Sequence, residues 1–450
     1  MHTANPDSTL TPISAASINP AMPMGAEETV PYFRLILTVM LAVAGYQLLL
    51  CFLSTHGFPV SRATVGIAEV IIFAIGLPVL MLRLLPIASI LILCTVGLLS
   101  LAILLGGEFN SKAFRDLAIP FYFFWLGCNF GRPEVADRCL KWVIALVLAV
   151  GAVELFFVDL FTDIFDIFGY YVHIGSLQNI TEYVRESRLQ LNGLRPEGIG
   201  RTLFPGLLGA HRVSSIFLEP IAMGNFATIC AAWGLSKDKS AWRETVFFLL
   251  AAFVMMVLSD SRFSLVTVNV MIFVRLLVSG RGLYLTILGP FLVVASVIIL
   301  GYGLPPRLMD DTFHGRLALT GSTLLNMGFK QVMGIAFDST IFYGDQGYAN
   351  VFFSFGLPAC VMLWVALWLM PIPDESSLRF RAFASIYIAL ILSISGTSML
   401  ALKSAGILWF LMGCTLRNPA PIPPKIVPLD THPLGMLSNK NSAVGNPDAH

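Results

Sequence analysis

The chain has 450 residues, of which 56% are hydrophobic and only 12% charged, roughly half the charged share of an ordinary soluble protein. Mean hydropathy is +0.79, and 28 Lys and Arg against 27 Asp and Glu leave a net charge of +1. These figures exclude a soluble globular enzyme, a disordered scaffold and a nucleic-acid binder, because no global field recruits DNA or an acidic partner.

In chain order, residues 1–30 hold no Lys or Arg and are rich in Ser, Pro and Ala. A secretory signal needs a basic region before its apolar stretch, so this segment reads as a disordered cytoplasmic tail. A helix crosses hydrocarbon with about 20 apolar residues. On that ruler the first five spans fall at 35–53, 65–82, 85–105, 114–131 and 140–158. The fourth is weakened by Arg115, Asp116 and Pro120. A long outer loop follows over about 159–215. Four more spans are expected at 216–235, 244–259, 263–280 and 283–303, then a second long loop over about 304–346. The last three spans fall at 347–370, 380–396 and 399–416, before a Pro-rich cytoplasmic tail, 417–450. The expected fold is therefore all-α: a polytopic transmembrane helical bundle of about 12 spans, occupying 31–416, with two long periplasmic loops.

Basic residues in short loops set orientation. One set of loops carries eleven: Arg83, Arg132, Arg138, Lys141, Lys237, Lys239, Arg243, Arg275, Arg281, Arg379 and Arg381. The opposite set carries five: Arg62, Lys112, Arg115, Arg262 and Lys403. The richer set reads as cytoplasmic, and both termini lie on that side. The seven cysteines sit in or beside apolar segments with no metal-ligand spacing, so they read as packing thiols.

Long loops are usually functional. The first holds Arg185, Arg188, Arg195, Arg201 and Arg212 and no Lys. Guanidinium forks grip phosphate bidentately, so an all-Arg loop points to a phosphate or pyrophosphate ligand; Glu182, Glu186 and Glu197 are the competing local ion-pair partners. Four clusters stand out at outer helix junctions. The first runs from His211 and Arg212 through Ser214, Ser215 and Phe217 to Glu219 and Pro220. Ser214 or Ser215 is placed to cap the next helix, Pro220 to kink it, and Glu219 to complement its dipole or to be used. The second is Ser259-Asp260-Ser261-Arg262, where Asp260 and Arg262 can satisfy each other. The third is His314-Gly315-Arg316. The fourth is Asp345-Gln346-Gly347-Tyr348-Ala349-Asn350. Glu69 and Glu154 are exceptions among helix interiors that mostly lack ionisable groups. Walker A, dinucleotide-loop, zinc-protease and nucleophile-elbow motifs are absent, and neither a metal nor a cofactor is expected.

In order and outer-side placement, these clusters resemble the Wzy-type polysaccharide polymerases and the related O-antigen ligases. The likeness covers about 205–370 and rests on Arg212, Ser215, Phe217, Glu219, Pro220 and Gly224; on Ser259, Ser261 and Arg262; on Gly315 and Arg316; and on Asp345, Gly347, Tyr348 and Asn350. Ligases of that group have a His where this chain has Asp345 and Gln346, which favours a polymerase. The resemblance implies a bacterial inner-membrane enzyme, a metal-independent glycosyltransferase joining undecaprenyl-pyrophosphate-linked oligosaccharide repeat units into exopolysaccharide at the periplasmic face. It implies membrane lipid, a flippase and a chain-length regulator as partners. Arg212, Arg262 and Arg316 would stabilise the departing pyrophosphate. Glu219 or Asp345 would take the acceptor proton. Arg195, Arg201, His211, Ser215, Ser261, His314 and Tyr348 would bind pyrophosphate or glycan. The alternatives are a ligase-like glycan transferase, a polytopic sugar or anion transporter with ligand groups at the midplane, and a non-catalytic scaffold.

Overall fold

The computed structural model describes residues 30–81, 86–106, 111–130, 132–175, 201–302, 313–336, 346–395 and 398–416, together with Arg188, Leu189, Gly193, Asp338 and Tyr343. The tails expected at 1–30 and 417–450 lie outside these residues, apart from Val30. The described residues fall within one compact unit.

Every extended element among them is helical. In order they are α1 (Val30–Thr55), α2 (Arg62–Met81), α3 (Pro86–Gly106), α4 (Ser111–Phe130), α5 (Pro133–Phe156), α6 (Val158–Ile164), α7 (Ile167–His173), α8 (Pro205–Leu208), α9 (Pro220–Ser236), α10 (Trp242–Ser259), α11 (Arg262–Leu277), α12 (Gly289–Gly301), α13 (Phe313–Asn326), α14 (Phe329–Val332), α15 (Gly347–Phe355), α16 (Leu357–Leu369), α17 (Glu375–Ile391) and α18 (Leu402–Cys414). Short 3-10 turns occur at Ser215–Phe217, Lys239–Ala241 and Gly280–Leu288.

Local chemistry sets the helix ends. Proline opens α5 and α9, where a missing N–H costs nothing. Pro220 therefore starts a helix, where a kink was expected. The capping serine lies elsewhere: Ser261 accepts from the Ser264 N–H at the head of α11. Asp374 caps α17 through the Ser377 N–H at 2.8 Å.

The core is built around α9, which is apolar on all sides and buried along nearly its whole length against α10, α11 and α17. Beside it, α1, α4 and α18 pack together. The backbones of α4 and α18 touch where Gly127 meets Gly413: a Cβ on Gly127 would collide with the Phe410 carbonyl, and one on Gly413 with the Phe124 carbonyl. Near their beginnings, Leu117 and Leu400 share a second apolar cluster. The two helices thus run side by side in the same direction.

The span count is the main correction. Four described stretches are long and apolar enough to cross a membrane: Phe33–Thr55, Pro133–Phe156, Lys239–Ser259 and Gly280–Gly301. A fifth candidate, Gly347–Phe355 with Leu357–Leu369, bends by 102° at Gly356, whose φ of +79° ends one helix before Pro358 starts the next. The protein is a multi-pass helical membrane protein with four such helices among the described residues, or five with the bent pair, not a bundle of about 12 spans. An apolar window counts side chains and is blind to helix continuity. The expected span 216–235 opens in a 3-10 turn and a left-handed Leu218, which leaves 17 helical residues. The expected 263–280 is a helix of 16 residues. The expected 380–396 is a helix of 17 residues that buries Arg379 and Arg381. The expected 399–416 shrinks to 13 residues beginning beside a buried lysine. Pro78 and Pro120 lie inside α2 and α4, which run on through them. The apolar faces of α9, α17 and α18 are covered by protein.

The family resemblance is overturned with the span count. Polymerases and ligases of the Wzy type are built on many crossings, and among the described residues four helices are both long and apolar enough to cross. The polymerase function is corrected on the same ground, as is its O-antigen-ligase-like alternative. The long loops are corrected too. The first contains α6, α7, α8 and the Ser215–Phe217 turn, and the second contains α13 and α14, because their apolar residues find neighbours on α1, α5 and α12.

Candidate functional site

Among the described residues five non-glycine residues adopt left-handed backbone, and four of them bracket one junction: Phe204, Ser215, Leu218 and Asp260. Strain of this kind persists only where surrounding bonds over-determine it, and it concentrates at functional sites.

The bonds are on hand. Glu154 of α5 is fully buried and accepts from the Ser214 N–H at 2.9 Å, the Ser214 hydroxyl at 3.0 Å and the Ser215 N–H at 2.5 Å. Its Oε1 also lies 3.1 Å from His211 Nε2. The Ser215 hydroxyl donates to the Val147 carbonyl at 2.6 Å. Asp260, also fully buried, accepts from the Thr202 hydroxyl at 2.9 Å and from the Leu203 N–H at 2.8 Å, rather than balancing Arg262 alone. The guanidinium of Arg201 donates to the carbonyls of Leu203 at 3.0 Å, His211 at 2.6 Å and Leu258 at 2.8 Å, and also to that of Val257. Arg212 Nε reaches the Ser259 carbonyl at 3.0 Å. Two arginines therefore satisfy the open carbonyls at the end of α10. This half of the junction fastens the 201–219 segment to α5 and α10.

Glu219 lies on the other side. It is the N-cap residue of α9, and its side chain is 32% exposed. Its Oε1 accepts from the Tyr171 hydroxyl at 2.9 Å, and its Oε2 pairs with Lys403 Nζ at 2.9 Å. The Lys403 ammonium is buried and also donates to the Phe217 carbonyl and to Gln47 Oε1, both at 2.9 Å. Gln47 in turn donates to the Tyr46 hydroxyl at 3.3 Å, which donates to Glu69 Oε1 at 3.1 Å. Arg115 Nη1 stands 3.9 Å from Glu69 Oε2 and forms a close pair with Asp116 at 2.7 Å. A polar chain thus crosses from α7 and α9 through α18 and α1 to α2 and α4. Burial, and then the Glu219 carboxylate, hold the Tyr171 phenol well above its usual pKa. The Tyr170 phenol is raised chiefly by burial too.

An apolar cavity of about 580 Å³ adjoins this chain. Its lining includes Leu117, Phe121, Tyr348, Trp364, Leu400 and Trp409. Leu117 directly follows Asp116, and Leu400 comes three residues before Lys403. Buried charge and cavity lining thus lie close in sequence on α4 and at the turn that leads into α18.

Of the residues singled out in the sequence, Arg201, His211, Arg212 and Ser215 meet at the junction. Ser261 is packed against Gly224 at the head of α11. Arg262 is exposed at the start of α11. His314 is exposed and Arg316 half-buried on α13. Tyr348 is buried and donates to the Ala389 carbonyl at 2.8 Å, which ties α15 to α17. Arg195 and Asp345 lie outside the described residues. Sequence reasoning missed Lys403, counted only as an outer-loop charge, and also Gln47, Tyr170 and Tyr171. The available signal was a lysine and a glutamine within apolar runs, since such groups inside a membrane protein are costly unless used. Among the described residues no three His, Cys, Asp or Glu side chains gather as a metal site. No protein-family model, characterised protein or solved structure matches this chain.

Proposed function

We propose that this protein is a membrane-embedded, metal-independent glycosyltransferase that acts on a lipid-linked oligosaccharide, with Glu219 as the general base. The observation that carries this reading is the setting of Glu219. Tyr171 and Lys403 hold the carboxylate from two directions, while a third of its surface stays open. A carboxylate fixed in this way can accept the proton of a sugar hydroxyl. The apolar cavity beside the charged residues suits a substrate that is polar at one end and hydrocarbon at the other. The exposed Arg262, at the head of α11, offers a guanidinium to an anionic leaving group.

The test uses the full chain in lipid nanodiscs, incubated with a polyprenyl-pyrophosphate-linked oligosaccharide and a free oligosaccharide acceptor, with products read by mass spectrometry. Transfer is expected in the native chain, and a loss of roughly a hundredfold or more in Glu219→Gln. Transfer at the native rate in Glu219→Gln, or none in the native chain, would overturn the reading.

A further inference from the structure

The polar chain that reaches Glu219 ends at a carboxylate with too few partners. Glu69 is buried. Its Oε1 accepts one hydrogen bond from Tyr46, while its Oε2, also buried, has no hydrogen-bond partner among the described residues. The nearest cation is Arg115 at 3.9 Å, and that guanidinium is already turned to Asp116 through Nε at 3.0 Å and Nη2 at 2.7 Å.

The cations around it are committed to the other carboxylates. Glu69, Asp116 and Glu219 are the carboxylates of the chain, and Arg115, Lys403 and the nearby Lys112 its cations. Arg115 pairs with Asp116 and Lys403 with Glu219. Lys112 on α4 is exposed and acts on Asp116. Tyr46 of α1 and Tyr170 and Tyr171 of α7 also face this cluster, Tyr46 through its bond to Glu69 and Tyr171 through its bond to Glu219. An ionised Glu69 would be a buried charge with one hydrogen bond and a distant, shared cation. Neutralising such a group costs less than burying it charged. A second loose end lies nearby. The Tyr170 hydroxyl is buried without a hydrogen-bond partner among the described residues, and it sits within electrostatic reach of both Glu69 and Glu219.

We propose that Glu69 carries a proton in the resting protein and is the proton-handling partner of Glu219, joined to it by the Tyr46 phenol and the Gln47–Lys403 bridge. This rests on the transfer reading. In that reaction the acceptor O–H bond breaks and its proton goes to Glu219. The oxygen's electron pair forms the new glycosidic bond, and the leaving group departs with the pair of the bond that breaks. Glu219 must lose the proton before the next cycle. Glu69 releases its own proton toward the Arg115–Asp116 edge, where Arg115 is half exposed, and is refilled from Glu219. One proton leaves for each glycosyl group moved.

The decisive measurement is infrared spectroscopy of the full chain in nanodiscs at neutral pH, in the carbonyl region of protonated carboxylic acids. The native chain is expected to show such a band. Glu69→Gln should lose it, and Tyr46→Phe should shift it, because that change removes the bond to Oε1. A band that survives intact in Glu69→Gln, or no band at all, would overturn the proposal. If Glu69→Gln fails to fold, Tyr46→Phe decides: a shift supports the proposal and an unmoved band defeats it. In the transfer assay Glu69→Gln should lower kcat roughly a hundredfold with KM unchanged, and an unchanged kcat would break the link to Glu219. The infrared result needs no turnover. A band lost in Glu69→Gln without transfer by the native chain would sink the proposed function and leave the stored proton standing.

Discussion

Lys403 meets Glu219 at 2.9 Å across 184 positions of sequence. The pair joins the head of α18 to the head of α9, and neither half explains itself alone. The ammonium also satisfies Gln47 and the Phe217 carbonyl, so a single cation serves three oxygens from three segments.

Removing that cation should therefore cost more than an ordinary surface pair. Lys403→Met leaves a largely buried carboxylate and two acceptors without a donor. The expected loss is roughly 3 kcal/mol of unfolding free energy, read by denaturant unfolding in micelles. Lys403→Met combined with Glu219→Gln should be less damaging than the sum of the two single changes. Strict additivity would mean that the pair does not act as a unit.

Glu154 is the acceptor that keeps Ser214 and Ser215 in place. Glu154→Gln presents an NH2 group to donors that need an oxygen. A loss of about 2–4 kcal/mol is expected, together with faster amide hydrogen exchange at Ser214 and Ser215. Unchanged exchange at both amides would show that the turn is held by other means.

Gly224 lies where α9 meets the head of α11. A Cβ there would run into the side chains of Ser261 and Ser264. Gly224→Ala should destabilise the protein by about 2 kcal/mol. Adding Ser261→Gly should recover part of that loss, since it clears the nearer obstacle. No recovery in the double variant would locate the crowding elsewhere.

Arginine geometry separates two positions that look alike in sequence. Arg201 forks across four carbonyls, a pattern that a lysine's single ammonium cannot reproduce. Arg201→Lys should cost about 2 kcal/mol, whereas Arg262→Lys, at an exposed site, should change thermal stability by no more than about 0.5 kcal/mol. Equal losses at both positions would contradict the division of labour drawn here.

Alkaline unfolding tests the tyrosines. Burial raises Tyr170 and Tyr171 above the ordinary value of 10.0, so the folded chain keeps both phenols protonated where the unfolded chain ionises. The unfolded state then binds fewer protons, and stability falls as pH rises above about 10. Tyr171→Phe should flatten that decline. A decline as steep as in the native chain would exclude Tyr171 as a source.

The helical, membrane-bound character was legible in the sequence because apolar composition and period are local properties. The number of membrane-length helices was not. Leu218 and Gly356 end helices inside apolar runs by backbone conformation, which no hydropathy window registers. Pro220 marked a helix end, but its role as opener rather than kink depended on Glu219 taking the N-cap position. Within the candidate site, Glu219 and Glu154 stood out as carboxylates in apolar surroundings. Their partners did not, because Lys403, Tyr171 and the Ser214–Ser215 amides arrive from distant segments, and pairing at long range leaves no local trace.

The contact between Gly127 and Gly413 bears on how this region can move. Two helices whose backbones interlock slide or tilt only as one body, so α4 carries Arg115 and Asp116 wherever α18 carries Lys403. Any shift at the Glu219 end is transmitted to the Glu69 end without slack, and two hydrogen atoms in place of side chains are what make that coupling rigid.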